Sequence, residues 1–143
     1  GKERVRRLLE LGATRVIDRN EEDFEEVIME ETAGRGVDLV INPVGGDTWG
    51  PAVRSLAMGG RMMLCGATAG DAPTISIRTI YQWHRQILGA PMGNREDFLA
   101  VLDLVSRREL VPVVGAVLPL DQVAEAHRLL EEGSVVGKIV IRP

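Results

Sequence analysis

Cysteine is almost absent: Cys65 is the only one in 143 residues. That excludes an intrachain disulfide and any zinc site built from a cluster of cysteines. Aromatic residues make up only 3%, so the core has to be aliphatic, drawn from Val, Leu, Ile, Ala and Met. No apolar run approaches the ~20 residues that a membrane-spanning helix needs. The first residues, GKERVRRLLE, are charged and helical in pattern, and no signal peptide is visible. Positive charge is not in excess either. Lys and Arg number 17 against 21 Asp and Glu, a net charge of −4. A general nucleic-acid surface needs clustered cations to neutralise phosphates. Neither nucleic acid nor membrane is therefore an expected partner, and the expected compartment is the cytoplasm.

What is present is ordinary for a globular protein: 45% apolar and 27% charged residues. The length is one domain's worth of chain, enough for a sizeable core. The most informative stretch is Gly36 to Gly70. An apolar run, Val37 to Val44, ends at Gly45 and Gly46. An amphipathic segment, Thr48 to Met58, leads to Gly59 and Gly60, and a second apolar run, Arg61 to Cys65, ends at Gly66. This reads as strand, loop, helix, turn, strand, loop. A helical crossover returns the chain to the same end of a sheet, so the two strands are expected to be parallel. Both then finish in small residues at the edge where open parallel sheets bind ligands.

Elsewhere strands and helices alternate. Lys2 to Leu11 has helical spacing and stops at Gly12. Thr14 to Asp18 reads as a short strand. Asn20 is expected to cap a helix with an acidic first turn and an inner face of Phe24, Val27 and Ile28, ending at Gly34. Asp47 is expected to cap the helix of the central stretch, with Pro51 in its first turn. Thr74 to Ile77 is extended, Arg78 to Gln86 a helical turn, and Ile87 to Met92 a strand. Asn94 and Asp97 suit a capping box for a helix with Phe98, Val101, Leu102 and Val105 inward. Val111 to Leu120 is extended. Asp121 caps a last helix with Val123, Ala126, Leu129 and Leu130 inward, and Lys138 to Ile141 is a terminal strand. The class is α/β.

The order of these signals resembles the medium-chain dehydrogenase/reductase superfamily, in its quinone-oxidoreductase and zinc-type alcohol dehydrogenase branches. LGATRVID resembles the helix end that leads into the third Rossmann strand. GRGVDLVINPVGGDTW resembles the family's strand and loop G-x-G-x-D-x-V-x-D-x-V-G-G, and MGGRMMLCGATAG resembles GGR-x-x-x-x-G. ILGAPMGNREDF and the final VPVVGAVLPLDQVAEAHRLLEEGSVVGKIVI are similar to the segments that follow. One departure matters. The dinucleotide fingerprint G-x-G-x-x-G is absent, and the spacing from Gly45 to Gly50 does not reproduce it. The resemblance thus implies the C-terminal part of an oxidoreductase: a partial Rossmann fold, a doubly wound parallel sheet without its first two strands. Residues 1–110 would form the partial dinucleotide-binding domain. Residues 111–143 would complete the catalytic-domain side, with a helix and strands returning toward it.

In the strand order 3-2-1-4-5-6, strand three (Arg15 to Asp18) would lie roughly 14 Å from strand four, at about 4.8 Å per step. Without neighbours it is not expected to be buried normally.

The resemblance also implies site residues. Asn42, Pro43, Val44 and Gly45, with Gly66, Ala67 and Thr68, would line the cofactor cleft, where small residues let backbone approach a flat ring. The other reading is that these loops merely end strands. Asn42 stands where relatives often have Asp. Arg4 falls where NADP-using relatives carry a cation for the 2′-phosphate, or it is a solvated helix charge beside Arg6 and Arg7. Met92 and Gly93, before Asn94, resemble a loop packed near the nicotinamide, or they serve helix capping. Lys138 could reach a cofactor phosphate, or be a solvated strand-end lysine. Cys65 reads as a small core residue. His84 and His127 read as structural, and Trp49, Trp83 and Tyr81 as packing residues. No catalytic residue and no zinc ligand is assigned.

The function implied is hydride transfer to or from a quinone, enone or alcohol, with NADP as cofactor (NAD being possible), and weak or absent binding by these 143 residues alone. The expected partners are the nicotinamide dinucleotide, a small-molecule substrate and a second copy, joined through the sixth-strand edge at Ile87 to Met92. The alternative is a non-enzymatic assembly or dimerisation module. A methyltransferase-like Rossmann class is disfavoured by the C-terminal P-V-V … G-K pattern.

Overall fold

The computed structural model describes residues 1–143. In chain order the elements are α1 (Lys2–Glu10), α2 (Phe24–Glu31), β1 (Val37–Asn42), α3 (Trp49–Arg54), β2 (Leu56–Leu64), α4 (Ile77–Tyr81), β3 (Gln86–Gly89), α5 (Arg95–Ser106), β4 (Val114–Pro119), α6 (Val123–Glu131) and β5 (Lys138–Arg142). Single 3₁₀ turns at Gly46–Thr48 and Leu120–Gln122 precede α3 and α6. The chain forms two compact units: Ala13–Met92 together with Gly1, and Lys2–Gly12 together with Gly93–Pro143.

The first unit is a parallel sheet in the order β1-β2-β3, with helices on one face. Register aligns Val40, Met62 and Ile87 across the three strands. That row packs with Ala52, Val53 and Leu56, and Phe24, Trp49 and Ile80 close over it. Val53 and Met62 are 0% exposed, and each such side chain contributes about 1.5–3 kcal/mol by leaving water. The next row, Ile41, Met63 and Leu88, lies on the opposite face. There Ile41 is 61% and Leu88 44% exposed.

The chain thus has the α/β architecture with parallel strands that the sequence pattern implies, and β1, β2 and β3 stand in the order of the fourth, fifth and sixth Rossmann strands. Several local expectations are corrected. Thr14 to Asp18 forms no strand. A strand needs a ladder partner, and no strand pairs with this segment, whose one neighbour in the order 3-2-1-4-5-6 would be strand two. Asp23, not Asn20, caps α2, accepting from the Glu25 and Glu26 amides. Helix α3 stops at Arg54, and Gly59 and Gly60 lie inside β2, not in a turn before it. Between Val37↔Leu56 and Leu39↔Arg61, five residue steps on β2 answer two on β1, so the glycines are taken up as a bulge. The third strand ends at Gly89, short of Met92.

Arg85 ties this unit together. It is 8% exposed, and its guanidinium donates to the Leu56 carbonyl from Nε (3.1 Å) and to the Arg54 carbonyl from Nη2 (3.0 Å). The same group lies 4.9 Å from the centre of the Trp83 ring. Burial pushes its pKa below the ordinary arginine value. Its charge is offset by the carbonyls at the end of α3 and the start of β2. This is a structural arginine that fixes where the helix stops and the strand begins.

The second unit holds α1, α5, α6 and the parallel pair β4-β5. The capping box at Asn94 is formed: its side chain accepts from the Asp97 amide, and Asp97 accepts from the Asn94 amide at 2.9 Å. The apolar face of α5 is not buried, however, with Phe98 60% and Val101 46% exposed. Asp121 lies within the 3₁₀ turn, and Gln122 occupies the cap position of α6 without a side-chain bond. Of the inward residues expected on α6, Ala126 is buried, while Val123 and Leu130 are exposed.

Candidate functional site

The C-terminal ends of β1 and β2 lie side by side, and each runs into a loop of small residues. Asn42 ends β1 and is 5% exposed. Its Oδ1 accepts from the amides of Val44 (2.9 Å) and Gly45 (3.0 Å), an Asx turn that bends the chain across the strand end. Its Nδ2 donates to Thr48 Oγ1 (3.2 Å), and Thr48 Oγ1 donates to the Gly45 carbonyl (2.7 Å). Every polar atom of the Asn42 side chain is therefore committed inside the loop.

Two backbone bonds join this loop to the one after β2. The Ala69 amide donates to the Val44 carbonyl (2.8 Å), and the Gly46 amide donates to the Gly70 carbonyl (2.9 Å). The approach is close enough to require glycine. A Cβ on Gly45, whose φ is +68°, would sit 2.4 Å from the Gly70 oxygen. A Cβ on Gly66 would sit 2.7 Å from the Pro43 oxygen. Beside the joined loops lies a depression of about 600 Å³, walled by Gly46, Asp47, Pro51 and Asp71 among others. A second, of about 350 Å³, is walled by Gly45, Trp49, Leu64, Gly66 and Ala67. On the β1 side a third, of about 300 Å³, lies between Ile17, Arg19, Phe24 and the strand end.

The structure brings together Asn42, Pro43, Val44 and Gly45 with Gly66 and Ala67; Thr68 lies on the same loop and is exposed. Met92 belongs to the same unit and is 97% exposed. Arg4, Gly93 and Lys138 belong to the second unit. There the Arg4 guanidinium donates to the Gly133 carbonyl, so it is not a freely solvated charge. Its neighbours Arg6 and Arg7 are paired with Glu3 and Glu10. Lys138 begins β5 and its side chain is exposed. Two expectations are corrected. Cys65 is exposed, because β2 ends at Leu64 and Cys65 is already loop. Tyr81 is 60% exposed, whereas Trp83, at 44%, packs its ring against the Arg85 guanidinium. Thr48 was not singled out from the sequence, although an Asn followed by Pro and a glycine pair signals a side-chain-capped turn.

Against known proteins, the profile described as zinc-binding dehydrogenase matches residues 11–141. The chain belongs to that family, within the medium-chain dehydrogenase/reductases. An NAD-dependent alcohol dehydrogenase of Sulfolobus acidocaldarius is 34% identical over 119 residues, 82% of this chain and 35% of its own length. A solved NAD-dependent alcohol dehydrogenase superposes with a TM-score of 0.89 at 33% identity, covering 100% of this chain and 42% of its own. A 2-octenoyl-CoA carboxylase reductase, solved with NADP and 2-octenoyl-CoA, superposes with a TM-score of 0.82 at 28% identity over 94% of this chain and 34% of its own. The chain therefore spans about two fifths or less of the length of these relatives and corresponds to their C-terminal part. Despite the family's description, no group of three or more His, Cys, Asp or Glu side chains is positioned to hold a metal ion. The residues present do not make a zinc centre. No helix is long and apolar enough to cross a membrane.

Proposed function

We propose that this chain is the ring-holding part of the nicotinamide-dinucleotide cleft of an oxidoreductase, one that moves hydride between NADP(H) and a quinone, enone or alcohol. The observation that carries this reading is the joined loop pair at the C-terminal edge of a parallel sheet, the position at which open α/β sheets take their ligands. Its small residues suit the face of a planar ring. The residues fit the ring ends of a dinucleotide better than its pyrophosphate: no cation lines the two depressions beside the joined loops, although Arg19 lines the third, and the Gly45–Gly46 turn that leads into α3 lacks the G-x-G-x-x-G spacing. The cofactor, when bound, supplies the hydride chemistry. The protein's part is to hold the ring and exclude water.

In this reading Pro43, Val44, Gly45, Gly66, Ala67 and Thr68 face the cofactor. Met92 and Gly93 form the loop near the nicotinamide, and Arg4 and Lys138 are the phosphate candidates. Residues 1–110 serve the dinucleotide and 111–143 complete the catalytic-domain side. NAD is the alternative cofactor, and the compartment is the cytoplasm. Fluorescence titration with NADPH and NADH tests the reading. Micromolar binding is expected from the protein encoded by the whole reading frame, and much weaker binding from the 143-residue chain. No binding by the former overturns the enzyme reading. Micromolar binding by the latter overturns the incomplete cleft.

A second reading is favoured by one feature. Strand β3 is a sheet edge, paired only to β2, and Leu88 on it is 44% exposed. Two copies could pair edge to edge there, and Pro91 beyond the strand does not block the ladder. Light scattering is expected to show a dimer. A strict monomer at high concentration removes this reading.

A further inference from the structure

We propose that Thr48 is a positioning residue of the dinucleotide site, fixing the β1 loop so that its Val44–Gly46 main chain offers the ring van der Waals contact and no free hydrogen-bonding group. The proposal rests on reading the loop pair as that site.

Each polar main-chain atom from Val44 to Gly46 has a partner within the protein. The Val44 and Gly45 amides donate to Asn42 Oδ1, and the Val44 carbonyl accepts from the Ala69 amide. The Gly46 amide donates to the Gly70 carbonyl, and the Gly46 carbonyl accepts from the Trp49 amide. Pro43 has no N–H to offer. The Gly45 carbonyl is held by Thr48, from its amide (3.2 Å) and more closely from its hydroxyl (2.7 Å). That hydroxyl is also the acceptor for Asn42 Nδ2. Thr48 Oγ1 is thus the one atom that closes both ends of the network: it stops the Asn42 amide from turning outward and the Gly45 peptide from rotating toward the ligand. Next to this stretch stand the ring of Pro43 and the side chain of Val44, both apolar, and the Pro43 carbonyl, which has no main-chain partner and lies against Gly66. An aromatic ring lying on Val44–Gly46 meets groups that have no hydrogen bond to exchange for water, so binding there loses nothing to unmatched polar atoms.

Thr48→Val keeps the shape and removes the hydroxyl. In the intact protein it is expected to weaken dinucleotide binding about tenfold, the size of one hydrogen bond, with the cofactor KM rising more than kcat falls. Thr48→Ser, which restores the hydroxyl, is expected to bind within about threefold of wild type. If wild type binds a dinucleotide and Thr48→Val binds it as tightly, the positioning role is wrong and the site reading stands. The role is also wrong if Thr48→Val only lowers the melting midpoint and moves kcat and KM together, or if Thr48→Ser does not rescue. If wild type binds neither NADH nor NADPH, the site reading fails and this proposal with it.

Discussion

Gly36→Ala is expected to destabilise the protein by about 2–6 kcal/mol. Gly36 is buried where the chain enters β1, with φ at +83°. An added Cβ would lie 2.6 Å from the Ser55 oxygen, 2.8 Å from the Ala57 nitrogen and 2.9 Å from the Leu56 carbonyl carbon. All three are backbone atoms of the bend between α3 and β2, so no side chain can swing aside. That bend is held from both sides: the Val37 amide donates to the Ser55 carbonyl (2.9 Å), and Arg85 grips the Leu56 carbonyl. Relieving the overlap means moving β1 away from β2, against the core. Overpacking costs about 1–3 kcal/mol and a strained φ about 1–3 more, together a large part of the roughly 5–15 kcal/mol that holds a domain folded. Urea unfolding measures it. Gly89→Ala is the control, with open space around it and no positive φ, and is expected to change stability by less than about 1 kcal/mol. A Gly36→Ala protein as stable as that control would show that the bend yields more easily than its contacts imply.

Gly45→Ala is expected to remove dinucleotide binding while leaving the core intact. Its Cβ would meet the Gly70 oxygen at 2.4 Å and push the two loops apart. The Gly46–Gly70 and Ala69–Val44 backbone bonds would then be lost together. The core residues Val53, Leu56 and Met62 are not in the loops, so thermal unfolding should remain cooperative. Affinity for NADPH in the intact protein is expected to fall by at least about a hundredfold, or roughly 2.7 kcal/mol. A folded variant that binds as wild type does would mean that the loop pair is not the ring site.

The central stretch was largely legible because its signals are local. The apolar runs and glycine pairs around β1 and β2 specify two parallel strands with small-residue ends, and both are found. The capping box at Asn94 was legible for the same reason. What failed depended on partners. Thr14 to Asp18 has the composition of a strand, but strand formation requires a neighbouring ladder, and pattern alone cannot supply one. Phe98 and Val101 carry a helix's inner face without an inner surface to meet. The early end of α3 depends on Arg85, which lies about thirty positions along the chain from the carbonyls it binds. Asn42 was placed at the cofactor cleft by the likeness of its loop to the family's, at a position where relatives often have Asp. Its side chain closes a turn through Val44, Gly45 and Thr48, which the sequence pattern does not specify.

The exposure of Cys65 has a practical consequence. It is the sole thiol of the chain, it is open to solvent, and it immediately precedes Gly66 on one of the two joined loops. In the 143-residue chain a maleimide fluorophore or spin label can therefore be installed at a single known address without engineering, within one residue of the wall assigned to the cofactor. This stretch of chain carries its own reporter position, and the chemistry of that one sulfur makes the loop pair directly observable.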